Sequence, residues 1–455
     1  MPTTTLTLDQ WVQVYIGGSS LVDQAVQINS GKALISLGTP SDATTAIDSS
    51  AFDDKVIYVP AGTSVFARPN GGGSAVVNIG AFGAGQSSAG YEMFGAAAKN
   101  AGVVSNPPAA STKKLRAARA RVRTKAGRGK VLFVGDSTTA GAFAAIAFAS
   151  RAALRFSQSG TPAVEQSVTG HKLQANTAAY LVYDPRFDRG AWGYDVTRYS
   201  IGAAPLRLDA ASGSCTFTPS VPVDTFVIRY MRDAGYGSIG ITIGGSAPST
   251  GPATVNASGT AGWQYATVKS AAVASQALVI SKTASGGFFI GEIYAYDSTV
   301  PAFDFVNGGW PTSRTSDWNV STSLFSPLPS IAASAADLIV IGLGINDWDN
   351  NVPLATFTAN YTAIVQACRA VADVLVIIQP QTDPSRNATA TTQKAFTDAI
   401  SSIATANGCM LFDFQARAGD FASANGAGLM ADMVHPNALG YSDWGDGLAD
   451  LLGRL

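Results

Sequence analysis

The sequence predicts an α/β domain of the doubly wound type, interrupted by an all-β insertion and preceded by a small all-β segment. Three observations predict this. Over residues 128–204 and 298–455, short apolar runs ending in turns alternate with Ala-rich or amphipathic stretches. Over 205–297 that rhythm gives way to β-branched and aromatic runs parted by Gly, Ser and Pro. Over 1–82, short apolar runs are again split by turn residues such as "PNGGGS".

Composition bounds the rest. A chain of 455 residues suggests two to four domains. A hydrophobic content of 46% with only 13% charged residues can fill large cores and argues against disorder. The net charge of -1 gives no global attraction to nucleic acid or to acidic membranes. Cys215, Cys368 and Cys409 are odd in number and far apart, which offers neither a disulfide framework nor a cysteine metal pair. With only two histidines, a zinc site is not expected. No apolar run reaches the length of roughly 18 residues that a membrane span needs. The start, "MPTTTLTLDQW", lacks a basic segment leading into an apolar one, so no signal peptide is expected.

The elements follow in order. Residues 1–82 read as a β domain, from "WVQVYI", "KALISL", "KVIYVPAGTSVFA" and "AVVNIGAF". Residues 83–127 read as a Gly/Ser/Pro-rich linker and a basic helix. The run 113–130 holds nine Lys and Arg and no acid. It reads either as a polyanion site or as a solvated helix face, and the absence of interleaved aromatic rings favours the latter. In "KVLFVGDSTTAGAF" an apolar strand runs into a Gly-Asp-Ser turn and then a helix. "AADLIVIGLGINDW" and "VADVLVIIQPQTDP" repeat the strand-then-loop pattern, "NYTAIVQACRAV" and "TTQKAFTDAISSIATANG" supply helices, and "CMLFDF" is a last strand. The segment 205–297 reads as an inserted β-sandwich.

Three places carry candidate chemistry. Ser137 follows a buried strand and opens a helix, where helix N-terminal amides favour developing negative charge. The plain alternative is a serine N-cap. Asn346, in "GLGINDW", ends another strand, where its carboxamide is placed to donate to an oxyanion or simply to make a turn. The acids of "DWDNN" lack the glycine and distal glutamate of a calcium loop. Asp432 and His435 in "DMVHP" are three residues apart, close enough for a carboxylate to fix an imidazole tautomer. The plain alternative there is a surface histidine. His171, in "VTGHKLQ", has no acidic neighbour in sequence and is assigned a surface or structural role. Taken together, a serine, an amide donor and an Asp-His pair are the set needed for acyl transfer.

"FVGDSTTAG", "GLGINDW" and "DMVHP" resemble the first, third and fifth blocks of the SGNH (GDSL-type) hydrolases, over 128–204 and 298–455. The resemblance implies a flavodoxin-like sheet and hydrolysis of acyl esters without metal or organic cofactor. It implies Ser137 as nucleophile, His435 as base, Asp432 as its orienting acid, and Asn346 and the Ser137 N–H as oxyanion donors. The second block is best matched by "FVNGGWPTSRTSDW", about 170 residues after Ser137. There the family's donor glycine falls on Thr312, with Gly309 as the alternative. Asp136, Asp347 and Trp348, beside the motif residues, are expected to contact substrate.

The insertion is similar to carbohydrate-binding sandwiches of the family, with Trp263, Tyr265, Tyr230 and Tyr236 as rings for sugar stacking or, equally, for the sandwich core. The N-terminal segment is similar to β modules of phage tail proteins. The expectation is therefore a carbohydrate O-deacetylase of a phage tail or tailspike, acting on acetylated polysaccharide at the bacterial surface. Its partners would be other tail proteins, with neither nucleic acid nor membrane insertion. Tail proteins are often homotrimers, although no heptad pattern is visible. The rival readings are a receptor-binding virion protein without activity and a lipase or lysophospholipase of the same family. The alternative locations are the cytoplasm and the exterior, reached by a non-classical route.

Overall fold

The computed structural model describes residues 112–141, 148–158, 161–174, 184–190, 192–195, 197–208 and 213–454, together with eight strands lying within 3–81. Two compact units result, 1–96 and 97–455. In the first, the strands form two four-stranded antiparallel sheets. The linker expected over 83–111 lies outside the described residues.

The second unit is built on a parallel sheet. Its strands are β1 (Gly129–Gly135), β2 (Ala163–Val164), β3 (Phe303–Gly309), β4 (Leu338–Gly342), β5 (Asp373–Ile378) and β6 (Met410–Asp413). They lie in the order β2-β3-β1-β4-β5-β6, all parallel. Without the two-residue edge strand β2, this is the flavodoxin-like order the resemblance implied.

Parallel strands buried on both faces should be apolar throughout, yet send alternate residues to opposite sides. In β1, Val131 and Phe133 enter one core with helices α1 (Lys113–Arg123), α3 (Phe148–Gln158) and α7 (Ala438–Arg454). Leu132 and Val134 enter the other, with α5 (Leu354–Val371) and α6 (Ala390–Ala406). β4 repeats this, with Leu338 and Val340 on one side and Ile339 and Ile341 on the other.

The cations of the basic run serve this packing. Arg119 donates to the Gly453 carbonyl at the end of α7, Arg121 pairs with Asp337, and Arg128 pairs with Asp304 and lies over the Tyr296 ring. Lys130 reaches the buried Glu292. Several of these partners follow the insertion in sequence, so the run ties distant parts of the unit together.

The insertion is a sandwich of two antiparallel sheets. Phe226, Ile228 and Ile293 from one sheet share a core with Phe217, Ile241 and Ile280 from the other. It begins earlier than residue 205: Ser167–Thr169, Phe187–Asp188 and Gly193–Tyr194 also pair with its sheets. These pieces are two or three residues long, too short to show an alternating pattern.

The rings considered for sugar stacking are engaged within the molecule. Tyr230 is sandwich core, stacked on Phe288. Trp263 Nε1 donates to the Leu324 carbonyl at 3.1 Å and the Tyr265 hydroxyl to that of Ala333 at 2.6 Å. The Tyr236 hydroxyl accepts from Arg198 Nε at 2.9 Å. Two of the four, Trp263 and Tyr265, thus join the sandwich to other segments.

At the carboxyl edge of the sheet, Gly309, Gly135 and Gly342 stand level on adjacent strands β3, β1 and β4. A Cβ on Gly135 would lie 2.0 Å from Thr139 Oγ1 and 2.5 Å from the Gly342 carbonyl oxygen. One on Gly309 would lie 2.1 Å from the Ala140 nitrogen. The glycines let the short helix α2 (Ser137–Ala140) sit directly on the sheet edge. Gly135→Ala is expected to destabilise the protein by about 1–3 kcal/mol through overpacking. A thermal melt showing no fall in Tm would contradict this account.

Candidate active site

Ser137 is the first residue of α2, two residues beyond the end of β1. Its position is set by Asp136, the N-cap. Asp136 Oδ1 accepts from the Thr138 amide at 2.9 Å and its hydroxyl at 2.8 Å, and Oδ2 accepts from Gln379 Nε2 at 2.9 Å. Asp136 is fully buried, and this burial raises its pKa against the pull of those donors. It therefore shapes the turn and does not contact substrate, contrary to expectation.

His435 lies in the loop before α7. Asp432 Oδ1 accepts the Val434 and His435 amides at 2.7 and 2.6 Å, which folds the carboxylate back towards the ring. The Ala431 amide donates to the His435 carbonyl at 2.7 Å, and Asn437 Nδ2 to that of Gly428 at 2.7 Å. Met430 and Pro436 form a β-bridge that closes the loop. In this frame His435 Nδ1 is 2.9 Å from Asp432 Oδ2, and Nε2 is 2.9 Å from Ser137 Oγ. Burial pushes Asp432 up, but the two amides and the imidazole outweigh it and hold the carboxyl below its ordinary range. An ionised Asp432 accepting from Nδ1–H leaves Nε2 as the acceptor for the serine proton.

The oxyanion side comes from two more strand ends. After β3, Trp310-Pro311-Thr312-Ser313 makes a tight turn, closed by the Ser313 amide on the Trp310 carbonyl at 3.2 Å. Pro311 stands where proline favours turns, and Thr312, at φ 65°, stands where glycine usually does. Among the described residues nothing accepts the Thr312 N–H or the Ser137 N–H. Gly309 is not a donor: its N–H is taken by Asn307 Oδ1 at 3.0 Å. Asn346 lies in helix α4 (Ile345–Asp349) after β4, and donates one carboxamide hydrogen to the Ser313 carbonyl at 3.0 Å. Its second hydrogen, the Thr312 N–H and the Ser137 N–H are the three donors placed at the ends of adjacent strands.

Asp347 and Trp348, expected at the substrate, are fully buried. Asp347 accepts the Thr315 amide and hydroxyl at 3.0 and 2.7 Å, which clamps the turn after β3 to α4. Trp348 Nε1 donates to Thr382 Oγ1 at 3.2 Å, and its ring meets Phe396 edge to face. Both residues hold the site from behind. Sequence reasoning missed Gln379, whose Nε2 joins Asp136 to Thr138 Oγ1 while its Oε1 accepts the Ile345 amide at 3.3 Å. Its signal was a polar residue directly after the apolar strand "VLVII". Trp310 was missed as well. His171 is placed in the helix Gly170–Gln174, but its side chain lies outside the described residues. No group of residues that would hold a metal ion occurs among the described residues.

Two predictions follow from this geometry. Burial raises the Asp347 pKa from 3.8 to about 6. The folded state therefore binds its proton more tightly than the unfolded chain, and this group's contribution falls as pH rises through that window. Relative to Asp347→Asn, the wild type should lose on the order of 2 kcal/mol between pH 4 and pH 7. A constant difference in denaturant titrations would exclude it. Second, Asn346→Ala, which removes the carboxamide donor, is expected to lower kcat by about 10²-fold, whereas Thr312→Gly, which keeps the N–H of the turn and relieves the left-handed strain, should raise Tm.

Residues 285–442 match the GDSL-like lipase/acylhydrolase family. The match takes in the second, third and fifth blocks but stops short of Ser137, which the fold restores to the site. A solved structure described as a peptidoglycan O-acetylesterase is 19% identical, with a TM-score of 0.61, and the alignment covers 78% of this chain and 99% of that one. A Bacillus subtilis protein (12% identity, 57% of this chain and 89% of that one, TM-score 0.29) also aligns. So does a lipase/acylhydrolase from Enterococcus faecalis (21% identity, 34% and 78%, TM-score 0.29). No curated protein sequence matches this chain.

Proposed function

We propose that this SGNH/GDSL-type hydrolase, a carboxylic ester hydrolase, removes O-acetyl groups from a bacterial surface polysaccharide. The observation that carries the reading is the continuous hydrogen-bonded chain Asp432–His435–Ser137, with Asn346 and the Thr312 and Ser137 amides at the ends of adjacent strands. A non-enzymatic receptor-binding protein has no need of that arrangement. The polysaccharide is supported by the fold shared with a protein described as a peptidoglycan O-acetylesterase.

The geometry supports acyl transfer in two steps. Ser137 Oγ attacks the acetyl carbonyl carbon as its proton passes to His435 Nε2. The tetrahedral oxyanion is held by the Ser137 and Thr312 amides and the Asn346 carboxamide. As it collapses, the sugar oxygen leaves with the proton from Nε2. Water, deprotonated by the same nitrogen, then attacks the acetyl-enzyme and acetate departs. Asp432 keeps the imidazole in the required tautomer throughout and stabilises its cation.

We further propose that the enzyme acts from a phage tail, with the unit 1–96 as its attachment to other tail proteins. The strands described in that unit, which its sequence also led us to expect, support this. Enzyme purified with virions would place it there.

Ser137→Ala should lower acetate release from O-acetylated polysaccharide, and turnover of an aryl acetate, by several powers of ten. Equal rates for the variant and the wild type would overturn the assignment of the nucleophile. Turnover of long-chain acyl esters far above that of acetylated polysaccharide would overturn the substrate.

A further inference from the structure

We propose that the inserted sandwich is a working part of the active site, and that Tyr199 is the positioning residue through which it holds the oxyanion turn Trp310–Ser313. This rests on the reading of that turn as a donor of the oxyanion hole.

The turn needs holding. Thr312 is β-branched and sits at φ 65°, a conformation that persists only where the surroundings over-determine it. On the hydrolase side, three bonds fix its far end. Ser313 Oγ donates to the Trp310 carbonyl at 2.7 Å and accepts from Trp318 Nε1 at 2.9 Å, and the Ser313 carbonyl accepts from Asn346. The near end is Trp310. Its amide donates to the Gly135 carbonyl at 2.7 Å, two residues before the nucleophile. Its ring meets Trp318 edge to face at 5.7 Å and stacks on Tyr199 of the insertion at 5.3 Å with 28° between planes.

Tyr199 is itself fixed. Its amide donates to the Phe325 carbonyl at 3.0 Å, and Ser200 and Ala203 close the next turn as a β-bridge. That turn lies against β3: a Cβ on Gly308 would stand 2.4 Å from Ile201 Cγ2, and one on Gly202 would stand 3.4 Å from the Gly308 carbonyl. A second strand of the insertion grips the same stretch. Thr169 Oγ1 donates to the Asn307 carbonyl, and Ser167 Oγ accepts the Asn307 amide at 3.4 Å. Asn307 Oδ1 in turn takes the Gly309 amide. From Asn307 to Trp310, the backbone that delivers Thr312 is therefore bound on one side by the catalytic strand β1 and on the other by the insertion.

Removing the stack frees the near end of the turn while leaving Ser137, His435 and Asp432 in place. An N–H displaced by a fraction of an ångström loses its effect on the tetrahedral oxyanion more than on the bound ester. The signature is a fall in kcat at constant KM.

The test uses the full chain and an aryl acetate. Tyr199→Ala should lower kcat at least tenfold with KM within twofold, and Tyr199→Phe, which keeps the stacked ring, should stay within twofold of wild type. An alkylboronic acid, whose boron accepts the Ser137 Oγ lone pair and becomes tetrahedral and anionic, should bind Tyr199→Ala more weakly by the factor lost in kcat/KM. If Tyr199→Ala does not fold, Tyr199→Leu keeps most of the side-chain bulk without the stack and carries the same expectation. A rise in KM at constant kcat would make the ring a substrate contact and overturn the proposal. So would unchanged kinetics, or equal losses in the Ala and Phe variants. Failure of the underlying reading shows separately, as undiminished turnover by Ser137→Ala or Asn346→Ala.

Discussion

Everything at the site depends on the close seating of one short helix on a sheet edge stripped of side chains. Gly309, Gly135 and Gly342 stand level on three neighbouring parallel strands, and α2 rests where their side chains would be. Three consequences follow from that contact. The serine is raised at the carboxyl edge, its own amide points out of the first helical turn, and the loops after β3 and β4 are brought level with it. Asp136 is then buried beneath the turn as a cap, at an electrostatic cost that Thr138 and Gln379 partly offset.

Around this seat the protein places a second layer of buried polar groups. Gln379 joins the first and third loops, Asp347 joins the second and third, and Trp348 anchors α4 from behind. Each leaves a group at the site with fewer ways to move. Catalysis by fixed dipoles requires this, because a donor that must reorganise during the reaction contributes little. The charged layer is thin: of the carboxylates near the serine, only Asp432 is both partly exposed and directed at the histidine.

The sequence made the plan of the sheet and the identity of the reacting groups legible, for reasons that lie in particular residues. Apolar runs such as Val131–Val134 and Leu338–Ile341 admit few alternatives to buried parallel strands, and Asp432 and His435 are close enough in sequence to find each other locally. What it hid was exposure. Asp136, Asp347 and Trp348 sit one or two residues from reacting groups, yet their side chains are buried. The identity of the third donor was hidden too, because it is a backbone group: only the φ of Thr312 and the engagement of the Gly309 amide separate the two candidates. The roles of the aromatic rings of the insertion were hidden for the same reason, since composition reports a ring but not the segment it lies against.

The strand order also constrains how such a chain comes to be built. β1 lies at the middle of the parallel sheet, and both its neighbours, β3 and β4, are made only after the whole sandwich. The sandwich pairs mostly with itself, in antiparallel hairpins and meanders that close over short distances. On a ribosome the nucleophile's strand therefore emerges early and waits unpaired while the insertion folds, exposed to the hazards of an open strand. The base, at position 435, follows the last strand of the parallel sheet. A product stalled before it carries a serine without a partner.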